Sequence, residues 1–89
     1  MKTSAIQKRI IKELHNGTSL SVKNMYLLRC TNISRELIRQ FEQPFNITLE
    51  RKQIDWQDEF SSGYYFEYSL NPKDKQKVSE LYNTYILNA

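Results

Sequence analysis

With 89 residues, 39% hydrophobic and 26% charged, the chain is too short for two independent cores and too apolar for a disordered tract, so one unit spanning 1–89 is expected. The lone cysteine, Cys30, excludes an internal disulfide. No apolar run approaches a membrane span, and basic residues interrupt the isoleucines of 1–14 where a secretory leader needs continuity, so a soluble cytoplasmic protein is expected.

Charge is unevenly placed. Residues 1–41 carry eight basic and two acidic side chains, and residues 42–89 five and eight, within a total of +3. A basic half invites an anionic partner, nucleic acid being the commonest, although a solvated basic face is the plainer use of the same charge.

The pattern predicts four helices and one hairpin. Ser4 and Gln7 form a capping box for a first helix over about 4–16, with Ile6, Ile10, Ile11 and Leu14 inward and Gly17 as a left-handed stop. Thr18, Ser19 or Ser21 caps a short second helix reaching about Arg29, its buried side being Leu20, Met25 and Leu28. Thr31 or Asn32 caps a third helix with Ile33, Leu37, Ile38 and Phe41 on one face, and Pro44 is expected to end it. From Ile47 the period changes to two. Ile47 and Leu49 are followed by Ile54 and Trp56 on the opposite parity, which predicts a bulge between them. Tyr64, Phe66, Tyr68 and Leu70 alternate with Tyr65, Glu67 and Ser69 as a return strand. Asn71 and Pro72 open a final helix whose stripe of Val78, Leu81, Tyr82 and Tyr85 covers the core or, alternatively, forms a homodimer seam. The expected class is α+β, mainly α: a helix-turn-helix core at 4–43, a two-stranded wing at 46–70 and a carboxy-terminal helix at 72–87.

In the stretches IQKRIIKELHNG, SLSVKNMYLLRC, TNISRELIRQFEQPFNI and GYYFEYSL the chain resembles the small winged helix-turn-helix proteins of phages and other mobile elements. The match runs from Ile6 to Leu70 and ends on the aromatic-x-Leu triplet Tyr68 to Leu70. That resemblance implies a DNA-binding transcription regulator or recombination accessory factor, working in the host cytoplasm if phage-encoded. Pro44 and Phe45 depart from it by replacing a glycine-containing turn, as does an acidic wing tip.

On a helical wheel stepping about 100° per residue, Arg35 and Arg39 fall opposite the apolar face of the third helix, the helix that such folds insert into the major groove of double-stranded DNA. Arginine there can bond guanine O6 and N7 through both prongs of its fork. Thr31, Asn32 and Ser34 stand at that helix's amino-terminal end, where hydroxyls and amides suit bases or phosphates. Lys8, Lys12, Lys23, Arg29, Arg51 and Lys52 are the candidate phosphate contacts. The competing arrangement pairs Arg39 with Glu42 on a solvated face.

Catalysis is not expected. His15 is alone, Cys30 reads as a small packed residue, Asp55, Asp58 and Glu59 lack the spacing of a calcium loop, and two glycines make no phosphate loop. No cofactor or metal is implied. The alternative function on the same fold is a phage inhibitor or host-takeover module that docks a host protein through the acidic wing and exposed tyrosines, with Tyr65 as anchor.

Overall fold

The computed structural model describes residues 3–88 and has an α+β, mainly helical architecture. Helix α1 (Ala5–His15) is followed by a 3-10 turn (Val22–Asn24) that leads into α2 (Met25–Leu28). A third helical stretch runs through α3 (Ile33–Leu37), a π-helical turn (Ile38–Glu42) and α4 (Gln43–Phe45). The antiparallel hairpin of β1 (Glu50–Gln57) and β2 (Ser62–Ser69) comes next. The last stretch comprises a 3-10 turn (Pro72–Asp74), α5 (Lys75–Tyr82) and a π turn (Asn83–Leu87).

Local chemistry explains the boundaries. Ser4 and Gln7 close the capping box of α1 reciprocally: the Gln7 amide donates to Ser4 Oγ at 3.1 Å, and the Ser4 amide donates to Gln7 Oε1 at 2.8 Å. Of the three residues offered for the second helix, Ser21 is the cap, bonded to the Lys23 amide. Asn32 caps α3 by accepting from the Arg35 amide. The first three helical stretches all stop in the same way, with a left-handed residue at Gly17 (φ 82°), Arg29 (φ 55°) and Asn46 (φ 53°). The next amide in each case reaches five residues back, Thr18 to Glu13, Cys30 to Met25 and Ile47 to Glu42, so carbonyls left over by the last turn are satisfied.

Three expectations are corrected. Pro44 does not end the third stretch; it lies inside α4, and Asn46 is the stop. A proline ring collides with the carbonyl four residues back and has no amide to donate. The π turn that precedes it, where the Gln43 amide donates to the Ile38 carbonyl, widens the helix at that point and removes the conflict. The predicted bulge is absent as well. Pairing runs unbroken from Glu50 opposite Ser69 to Gln57 opposite Ser62. The change of parity arises because Ile47 and Leu49 precede the strand and are buried in the helical core, whereas Ile54 and Trp56 belong to the hairpin. Finally, Leu20 is buried but lies outside the second helix, exchanging two backbone hydrogen bonds with Tyr68 and so tying the loop after α1 to β2.

The core collects Ile10, Ile11 and Leu14 of α1 with Leu28, Ile33, Leu37 and Phe41, closed from below by Ile47, Leu49, Tyr68 and Val78. Leu81, Tyr82 and Tyr85 lean on it from the last helical stretch, so that stripe covers the core. Past Tyr68 the hairpin has no core to meet. Tyr64 and Phe66, on the parity expected to face inward, are therefore 62% and 40% exposed, and the molecule is drawn out to 49 × 26 × 20 Å.

Candidate nucleic-acid interface

The outer side of the third helical stretch is where the sequence placed its base-reading residues. Arg35 and Arg39 are both exposed, one turn apart, with neither beneath the carboxy-terminal helix. Arg35 Nε lies 3.7 Å from Glu36 Oε1, too far for a hydrogen bond, and its side chain is 55% exposed. Water screens a pair of that kind, so it holds the guanidinium only weakly. Arg39 has no carboxylate within 4.0 Å among the described residues.

The reason Arg39 is free lies in the fold. Glu42, its partner in the competing arrangement, is taken by Arg51, whose Nη2 donates to Oε1 at 2.6 Å and whose Nη1 donates to Oε2 at 3.1 Å, while the Leu49 amide donates to Oε2 at 2.7 Å. Arg51 also donates to the Leu49 carbonyl and stacks 5.0 Å from the Tyr68 ring centroid. Arg51, expected as a phosphate contact, is thus a clamp between the third helical stretch and the hairpin.

Partial burial pushes the Glu42 carboxyl up, but the Arg51 hydrogen bonds, the Leu49 amide and the Arg51 charge together hold it below its ordinary value. A depressed carboxylate contributes stability that is present above its unfolded value of about 4.3 and lost as pH falls through the lower folded value. Glu42→Gln is therefore expected to cost about 1–3 kcal/mol at neutral pH. Thermal melts between neutrality and acid should show the variant with a flatter acid limb than the native chain; parallel limbs would contradict the clamp.

The other predicted residues divide. Thr31 and Asn32 are exposed just before α3, although the Oδ1 of Asn32 is engaged by the Arg35 amide at 3.1 Å, leaving only its Nδ2 donors outward. Ser34 is half-buried, and its hydroxyl is 2.6 Å from the Tyr68 hydroxyl, on the inner side of the helix. Arg29 is exposed in the turn between α2 and α3. Lys23 is exposed over the Tyr65 ring, 5.2 Å from its centroid. Tyr65 is accordingly half-buried, and the exposed tyrosine of the pair is Tyr64. Lys52 is exposed opposite Glu67 on the hairpin. Lys8 and Lys12 lie elsewhere, along a groove that they and Arg9 share with Tyr85 and Ile86. Ile38, counted as core from its spacing, is 37% exposed. It borders the arginine face, and an aliphatic group there suits a thymine methyl. Its place next to Arg39 is the only signal the sequence carried.

Asp58 accepts the Phe60 and Ser61 amides at 2.8 Å each, which holds its carboxyl below the usual range and makes it the acid of the hairpin turn. Burial, then the charge of Glu36, pushes the Cys30 thiol up, the reverse of what activates a nucleophile. His15 stacks on Tyr82 with ring centroids 4.0 Å apart. Among the described residues no three His, Cys, Asp or Glu side chains are grouped to hold a metal ion, and no helix is long and apolar enough to cross a membrane. No family model matches this chain, and no match is found among curated proteins or solved structures.

Proposed function

We propose that this chain is a winged helix-turn-helix DNA-binding protein, a regulator or recombination accessory factor of the type found in mobile elements, with its third helical stretch entering the major groove. The reading rests on the pair Arg35 and Arg39, exposed one turn apart, with Glu36 only loosely paired to Arg35 and Glu42 committed to Arg51. Ile38 between them offers apolar contact, Thr31 and Arg29 stand before the amino-terminal end of the helix, and Lys23 is exposed on the preceding 3-10 turn, as donors for bases and phosphates. The hairpin tip is excluded from the contact by its charge. Residues 53–72 contain four acids and no lysine or arginine, so phosphate repels them.

Binding of a fluorescently labelled random duplex, followed by anisotropy across a salt series, tests the proposal. Saturable binding at low salt is expected. With about four cations meeting phosphate or base, its logarithmic salt slope should be about −4. Absence of saturable binding at low salt would overturn the reading.

A further inference from the structure

We infer that the chain associates with itself, the hairpin tip of one copy seating in the basic groove between α1 and the carboxy-terminal helical stretch of another. The two surfaces are unlike and complementary. The tip presents Phe60, 87% exposed, with Trp56 and Tyr64, 43% and 62% exposed, on opposite faces of the hairpin behind it. Asp55 and Glu59 are exposed around these rings. The groove, of about 220 Å³, is floored by Tyr85 and Ile86 and rimmed by Lys8, Arg9 and Lys12, with no acid among its lining residues. It has room for one aromatic ring. An aromatic anchor surrounded by carboxylates, set into an apolar cleft surrounded by cations, gains area burial at the centre and charge attraction at the rim.

Pre-organisation strengthens the case. Asp58 holds the turn through two amides and donates its own amide to the Ser61 carbonyl at 2.9 Å, so Phe60 is presented outward before any partner arrives. Trp56 is fixed over Gly63, where an added Cβ would lie 3.0 Å from its ring. Little conformational freedom is then lost on docking. The ladder of eight pairs holds the tip away from the helical core. Contact between unlike patches is heterologous and propagates beyond a dimer unless a rotation closes it.

Sedimentation velocity in low salt without nucleic acid tests this independently of the DNA reading, whose failure would leave it standing and conversely. The native chain should rise with concentration from the 10.7 kDa monomer to dimers and larger species. The tip variant Asp55→Lys/Glu59→Lys and the groove variant Lys8→Glu/Lys12→Glu should each remain monomeric alone. Mixed, they should associate again, because the acidic tip of the groove variant meets the basic groove of the tip variant and the reversed lysine tip meets the reversed glutamate groove. Phe60→Ala, at an 87% exposed position outside the core, should weaken association by roughly tenfold or more. A native chain that stays monomeric to about 1 mM, the weak end of specific affinities, overturns the inference. So does self-association of either charge-reversed variant at native strength, or a mixture that remains monomeric.

Discussion

Replacing Arg35 and Arg39 together by alanine is expected to weaken duplex binding at least roughly thirtyfold while leaving the melting temperature within about 2 °C of native. Each two-pronged contact to a guanine contributes about 1–3 kcal/mol, so even the lower bound for two of them amounts to about 2 kcal/mol, or about thirtyfold. Both guanidiniums are exposed, and among the described residues the one ion pair that either makes is the long Arg35–Glu36 contact, so stability has little to lose. Arg35→Lys/Arg39→Lys sharpens the test. Lysine keeps the charge but has no planar fork, so affinity for random sequence should largely survive while discrimination among sequences falls. Anisotropy titrations on several duplexes measure both quantities.

Phe41→Ala is expected to destabilise the chain by about 3–5 kcal/mol, the range for truncating a fully buried aromatic. Phe41 has no exposed surface and meets Phe45 edge-on, with ring centroids 5.7 Å apart. It also lies within the π turn, beneath the helix that carries the arginines. Total stabilities are on the order of 5–15 kcal/mol, so the variant should lose about 20 °C or more in melting temperature. Phe60→Ala is the matched control: the same deletion at an 87% exposed site should move stability by less than about 0.5 kcal/mol. Equal losses at the two positions in urea or thermal melts would contradict the placement of the core.

Signals that act over one helical turn were legible in the sequence. The Ser4–Gln7 box, the Gly17 stop, the Asn71 cap and the Val78–Tyr85 stripe rest on residues three to seven apart, and all lie where local rules put them. Pro44 misled because the rule for proline assumes an α-helix, and the π turn upstream leaves no mark in residue types. Contacts between elements were out of reach. Glu42 with Arg51 spans nine residues through a loop, Ser34 with Tyr68 spans 34, and Leu20 with Tyr68 joins two segments that no periodicity relates. These contacts decide the site, since the first leaves Arg39 unpaired and the second removes Ser34 from the outer face. The aromatic alternation of β2 was readable, but which parity is wet depended on the hairpin extending past the core.

Contact between DNA and the outer face of the third helical stretch can be followed residue by residue by backbone amide shift mapping in NMR on addition of a duplex. The predicted result is a set of perturbed amides concentrated from Arg29 to Arg39, with the turn from Asp58 to Ser61 unmoved. Perturbation centred on that turn, with the amides of Arg35 to Arg39 unchanged, would contradict it.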